Sequence, residues 1–163
     1  CAFVRGSALV GENCVVGNSV ELKNVILFDN VQVPHYNYVG DSILGYKAHM
    51  GAGAITSNLK ADKTNIVVKD CYDTQEAIET GLRKMGAMLG DFAEIGCNSV
   101  LNPGTVIGRN SNVYPLSSVR GVVPANHIFK DKEQGMKASE YVREKGLAKD
   151  IYLVSPYNVQ HHL

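Results

Sequence analysis

Leu89-Gly90-Asp91-Phe92-Ala93-Glu94-Ile95-Gly96-Cys97-Asn98-Ser99-Val100-Leu101-Asn102-Pro103-Gly104-Thr105-Val106-Ile107 repeats itself every six residues, and the beat runs on through Val113 and Val119. Large aliphatics open the units at Leu89, Ile95, Leu101, Ile107, Val113 and Val119. Small or slim residues follow four places later, at Ala93, Ser99, Thr105, Ser111, Ser117 and Val123. A chain with this period buries one aliphatic per unit, seats the slim residue at a tight corner and turns the rest outward, which is a hexapeptide β-helix. Each coil covers its inward row only against the coils above and below it.

The first part of the chain carries the same repeat with two five-residue units. Val4, Val10, Val16 and Leu22 open units, with Ala8, Cys14, Val20 and Ile26 at the slim position. Leu27, Val33 and Val39 restart the frame, and Leu44 and Met50 restart it again. Three hexads close one triangular coil, so the two runs predict about five coils stacked at the ~4.8 Å spacing of neighbouring strands. The intervening segment, residues 56–88, holds a short apolar run at Ile66, Val67 and Val68 and a charged stretch from Asp70 to Lys84. It is expected to leave the prism as an extruded loop. The period does not fix the handedness of the coil.

The expected organisation is a β-helix over residues 1–124 and a separate tail over 125–163. Within the tail, Lys130 to Lys145 is charged and rich in helix formers, with Met136, Tyr141 and Val142 as apolar anchors and Gly146 as a stop. This predicts a C-terminal helical arm that caps the open end of the prism or lies across a neighbouring subunit. Ile151 to Leu163 carries no clear signal.

Sixteen basic and sixteen acidic residues among 163 give a formal net charge of zero. No global field attracts nucleic acid, and no apolar run reaches membrane-spanning length. Cys1, Cys14, Cys71 and Cys97 form neither a C-x-x-C pair nor a dense framework. That usage suits a reducing cytosol, so a cytoplasmic location is expected. The chain opens at Cys1 inside a repeat, without an initiating Met, and is read as part of a longer protein.

Chemistry concentrates in the first run. His35 follows the inward Val33 by two residues, so its imidazole points away from the thin core. An outward histidine is ordinarily just solvated, but Tyr36 and Tyr38 beside it could shape a pocket. Arg5 and Lys23 also sit just after inward residues in successive coils, where two cations could meet one phosphate or simply face water. Met50-Gly51-Ala52-Gly53-Ala54-Ile55 places small residues where a ligand can approach the backbone, and an exposed N–H there could stabilise an oxyanion. Glycines are also ordinary turn residues in such repeats.

Three segments together, Gly17-Asn18-Ser19-Val20-Glu21-Leu22-Lys23, His35 to Asp41, and Gly51 to Asn58, resemble a known family. It is the acetyltransferase domain of bifunctional UDP-N-acetylglucosamine pyrophosphorylase/glucosamine-1-phosphate N-acetyltransferase. The resemblance covers Ala2 to Pro124, and Gly81 to Gly86 in the excursion is similar to the archaeal sugar-1-phosphate nucleotidylyltransferase/acetyltransferase branch and to short bacterial pyrophosphorylase-related proteins. It implies a left-handed parallel β-helix, acetyl-CoA as co-substrate without a metal, an amino-sugar phosphate as acceptor, and a homotrimer with sites between neighbouring prisms.

Carried over by position, His35 matches the general base that takes a proton from the sugar amine. Arg5, Lys23 and Tyr38 match residues that hold the sugar phosphate, Asn58 positions the amino sugar, and the Ala52 amide serves the oxyanion. Cys97, Tyr114 and Arg120 fall on the coenzyme wall. Departures accompany the matches: His49 stands where bacterial bifunctional enzymes have Asn beside the sugar, and Cys97 replaces a Ser near the pantetheine arm. Nothing in these residues resembles the Gly-rich loop of the nucleotidyltransferase half.

Two other classes stay open at this level. A metal hydratase of the γ-carbonic-anhydrase type needs three converging imidazoles, two of them close in sequence. His35 and His49 are too widely spaced for that pair, and His127, His161 and His162 lie outside the expected coils. A trimeric scaffold or regulatory subunit that kept the fold without the activity is the other.

Overall fold

In the computed structural model, residues 1–69, 77–130 and 152–154 are described. Every regular element among them is a β-strand, and none of them forms a helix long and apolar enough to cross a membrane. Parallel pairing stacks the strands into the left-handed type of hexapeptide β-helix expected from the sequence.

Three rows of inward residues line the prism. The first face contributes Val4, Leu22, Val39, Thr56, Leu101 and Val119. The second contributes Val10, Leu27, Leu44, Leu89, Ile107 and Val123. Val16, Val33, Met50, Ile95, Val113 and Phe129 form the third. Leu22, Val33, Val39, Leu44, Met50, Leu101, Val113 and Val119 are completely buried. Each such side chain contributes about 1.5–3 kcal/mol by leaving water, and buried corner residues such as Val20, Val25, Val31 and Ala54 complete the core among the described residues.

Among the described residues each row holds six inward positions, and the Tyr152–Val154 strand adds a seventh rung to the third face, so the stack is taller than the about five coils the aliphatic count predicts. Thr56 fills an inward position that an aliphatic search passes over, and the last coil extends beyond Pro124 through His127–Phe129. Two slim-position assignments also shift. Val25, not Ile26, is buried at its corner, with Ile26 turned outward, and Val123 is an inward residue paired with Ile107. The helical arm expected from Lys130 to Lys145 lies outside the described residues beyond Lys130. Farther on, Tyr152–Val154 is a strand, paired parallel to His127–Phe129.

Corners set the local sequence. One corner carries Asn13, Asn30, Lys47, Phe92, Asn110 and Asn126, all in the left-handed region. Asparagine tolerates that region better than other non-glycine residues because its short amide can bond locally. The two five-residue units tighten the corner between the first and second faces, so Glu21–Leu27 and Tyr38–Leu44 bend through it as continuous strands. Asn24 and Asp41 stack there in successive coils, with φ of 54° and 48°.

In the next coil that corner gives way to the extruded segment. Its mouth is pinned where the Met85 N–H donates to the Asn58 carbonyl at 3.0 Å and the Gly86 N–H donates to the Asp41 carbonyl at 2.8 Å. Val67–Lys69 and Ala77–Glu79 pair antiparallel within the excursion. Its Ile66 is fully buried and packs over Gly104 of the prism.

Candidate active site

Two groups of outward residues border the first face, one at its corner with the third face and the other running along it to its corner with the second. The register stacks His35, Ala52 and Cys97 in one column on consecutive coils. The Gly53 N–H donates to the His35 carbonyl at 3.1 Å, and the Asn98 N–H donates to the Ala52 carbonyl at 2.8 Å. The His35 imidazole is exposed and has no hydrogen-bond partner among the described residues. Ala52 likewise has an N–H that donates to no acceptor among them. The backbone positions that carry the imidazole and the free amide donor thus stand one strand spacing, ~4.8 Å, apart along the column.

Asn37 fixes that geometry from beneath. Nearly buried, it accepts the His35 N–H through Oδ1 at 3.1 Å and donates through Nδ2 to the Gly51 carbonyl at 2.7 Å and the Ala54 carbonyl at 2.9 Å. One side chain therefore braces both the imidazole corner and the Gly51–Ala54 turn. Asn37 stands at the slim corner position four places after Val33, but the repeat marks only the place, and the role of its amide appears only through the turns it bonds.

The second group lies on the first face. Arg5 and Lys23 occupy equivalent positions on successive coils, and Gly40 takes that position in the next. A Cβ at Gly40 would overlap the Tyr38 ring, so the missing side chain lets that ring lie along the strand. Lys23 Nζ donates to both Asp41 carboxylate oxygens at 3.1 Å, Asn24 Nδ2 reaches Oδ1 at 2.8 Å, and Asn58 Nδ2 reaches Oδ2 at 2.5 Å. The Asn58 amide also donates to the Tyr38 hydroxyl at 3.1 Å.

Burial pushes the Asp41 carboxyl up, but hydrogen bonds from Asn24, Lys23 and Asn58, with the Lys23 charge, outweigh it and hold the group below the usual carboxylate range. Its side chain is only 8% exposed. Sequence analysis included Asp41 in a motif without giving it a role, although three donors converge on it.

The remaining expected site residues sit farther out. Arg5 Nη1 pairs with Glu21 at 2.9 Å on the surface. His49 is turned to the third face, where Nδ1 meets Glu94 at 2.7 Å, apart from Lys23 and Tyr38 on the first. Tyr114 stacks in the same column as Gly51 and Gly96, with the Lys130 ammonium 4.8 Å from its ring centroid. Arg120 shares the first face with Arg5 but stands at the other end of the stack. Among the described residues no three His, Cys, Asp or Glu side chains converge in a metal-binding group.

A parallel β-helix with an outward imidazole beside a free amide and a polar cluster one face away has the architecture of an acyl-transferring domain. The bifunctional protein GlmU of Methanococcus maripaludis strain C5 is 38% identical over 110 residues, 68% of this chain and 26% of that protein. A bifunctional sugar-1-phosphate nucleotidylyltransferase/acetyltransferase of Sulfurisphaera tokodaii is 31% identical over 129 residues, 79% of this chain and 31% of that protein. The chain thus spans between a quarter and a third of the length of these relatives. The acetyltransferase domain of PglB from Neisseria gonorrhoeae, solved with acetyl coenzyme A, superimposes with a TM-score of 0.60 at 19% identity over 78% of this chain and 50% of that one, a likeness of fold. No protein-family model matches the chain. With its fold and these relatives, the chain belongs among acetyltransferase domains of the GlmU type.

Proposed function

We propose that this chain transfers the acetyl group of acetyl-CoA to the amine of an amino-sugar 1-phosphate, with glucosamine-1-phosphate and galactosamine-1-phosphate as the first candidates. The observation that carries the reading is the shared column of His35 and Ala52, a free imidazole one coil from a free backbone N–H.

In the proposed step the sugar amine attacks the thioester carbonyl. A C–N bond forms, and the developing oxyanion takes the Ala52 N–H. His35 accepts the proton that the amine loses. Collapse of the tetrahedral species breaks the C–S bond, and the proton leaves with the coenzyme A thiol. Holding amine and thioester in one site supplies much of the acceleration, since a bimolecular encounter becomes an intramolecular one. Lys23, Arg5 and the Tyr38 hydroxyl face the phosphate and Asn58 the amino sugar. Cys97, Tyr114 and Arg120 line the path of the coenzyme, and His49 borders the acceptor from the third face.

The reading includes a cytosolic homotrimer. Support for self-association comes from the second face, where Leu9, Ile26, Ile43, Met88, Val106 and Val122 stack outward in a single apolar row. A second copy of this chain is the occupant such a repeating row fits, because it matches its own spacing. The free Cys14 and Cys97 thiols agree with a reducing compartment.

The test is to incubate the protein with acetyl-CoA and either amino-sugar phosphate and to follow the released thiol. Turnover with one of them is expected. No turnover with either, or full activity after His35→Ala, overturns the assignment, and a monomer by light scattering overturns the trimer.

A further inference from the structure

Asp41 receives every polar group that reaches into the corner beside the proposed acceptor site. Lys23 and Asn24 bond to Oδ1, and Lys23 and Asn58 to Oδ2. A carboxylate only accepts, with two oxygens offering about four sites, so Asp41 is saturated by its own protein and has nothing left for a ligand.

Its effect is to set the direction of the neighbouring hydrogen bonds. Because Asp41 cannot donate, the Asn58 carboxamide must present its nitrogen inward, and that nitrogen is shared between Asp41 Oδ2 and the Tyr38 hydroxyl. The outward atom of Asn58 is then Oδ1, an acceptor. Tyr38, whose oxygen already accepts from Asn58, keeps its own O–H free to donate. Lys23 spends part of its ammonium on Asp41 and retains N–H capacity on the other side.

Resting on the acetyl-transfer reading above, we infer that Asp41 is a positioning residue that gives the acceptor site its polarity. It turns one acceptor, Asn58 Oδ1, toward the substrate amino group and two donors, the Lys23 ammonium and the Tyr38 hydroxyl, toward the phosphate. The site selects a ligand with a hydrogen-bond donor at one end and an anion at the other, in that order. The arrangement also accounts for a phosphate clamp in which Lys23 carries a permanent carboxylate partner. Asp41 costs the clamp some positive charge and fixes which way it points.

Asp41→Asn removes the only partner in the cluster that cannot donate. The Tyr38 hydroxyl and the new amide can each donate or accept, so Asn58 is free to turn over. Calorimetry on the intact protein compares glucosamine-1-phosphate with 2-deoxyglucose-1-phosphate, which lacks the donor. The wild type is expected to prefer the amino sugar by roughly tenfold to a hundredfold, the range of one hydrogen bond involving a charged group. In Asp41→Asn the preference is expected to fall below about threefold, with acetyl-CoA affinity and a cooperative, if lowered, melting transition showing that the fold is kept.

A preference retained in Asp41→Asn, or absent from the wild type, overturns the inference. Failure of the functional reading looks different: no acetyl transfer by a wild type that still prefers the amino sugar removes the catalysis and leaves the polarity standing. Should Asp41→Asn not fold, the exchanged pair Asp41→Asn/Asn58→Asp is measured instead. It keeps one carboxylate against one carboxamide and an acceptor facing outward, so a retained preference supports the inference and a lost one overturns it.

Discussion

The Gly53 N–H donates to the His35 carbonyl at 3.1 Å, so the corner that carries the imidazole and the turn that carries the Ala52 amide are joined one coil apart. The ring itself is exposed, and among the described residues only the His35 backbone is held. His35→Ala is therefore expected to leave the melting temperature nearly unchanged, within about 0.5 kcal/mol of stability. The same change should lower kcat by roughly 10²–10⁴, the usual contribution of a general base. Thermal melting and thiol release on one preparation check both halves, and a loss of fold alongside activity would remove the catalytic interpretation.

Gly53 is irreplaceable at its corner for two reasons. Its φ is +71°, and a Cβ there would run into the Asn98 amide and the Tyr36 ring. Gly53→Ala is expected to cost about 1–3 kcal/mol from backbone strain and crowding. Because the strained turn holds Ala52, kcat should fall by more than the loss of folded protein explains. Activity per folded molecule, with the folded fraction taken from denaturant titration, makes the comparison, and unchanged activity would mean that the Ala52 amide plays no part.

Acid should act on Asp41 with a definite sign. Its folded-state pKa lies below the unfolded value of about 3.9, so it contributes stability that is fully present above that value and is lost as pH falls through the folded pKa. Removing the carboxylate in Asp41→Asn should cost about 1–3 kcal/mol near neutral pH, since Lys23 and Asn58 are left with a weaker partner. The gap between wild type and variant should narrow steadily below about pH 4. Urea titrations across that range test it. A gap that is constant with pH would show that Asp41 is not charged in the native protein.

The repeat from Leu89 to Val119 was legible because each inward position is aliphatic and each coil asks the same of it. The first run told its fold equally well, and its two short units fall where Asn24 and Asp41 tighten a corner and gather Lys23, Tyr38 and Asn58. What stayed hidden is what depends on contacts between coils. Asn37 braces two turns through three hydrogen bonds that no spacing announces. Asp41 has a role only because Asn58, seventeen residues away, folds back onto it. The coil count fell short where the rows run on through Val123 and Phe129 and where one inward place is taken by a hydroxyl.

That hydroxyl belongs to Thr56, completely buried in a row otherwise made of Val and Leu. Its Oγ1 accepts the Gly40 N–H at 2.9 Å and meets Ser42 Oγ at 3.0 Å, while Ser42 Oγ accepts the Ala87 N–H at 3.0 Å where the chain rejoins the prism. Thr56→Val restores the aliphatic pattern at nearly the same volume, so two effects compete. The added methyl gains about 0.8 kcal/mol of burial, whereas the Gly40 N–H left without an acceptor costs about 1–3 kcal/mol. The second should win, giving a net loss of about 1 kcal/mol or more. Gly40 precedes Asp41, so the loosened corner should also raise KM for the amino-sugar phosphate while leaving KM for acetyl-CoA near its wild-type value. Denaturant titration and steady-state kinetics read the two consequences separately. A Thr56→Val protein as stable as the wild type would show that the hydroxyl is a tolerated irregularity of the repeat and not the tie between the coils that carry the site.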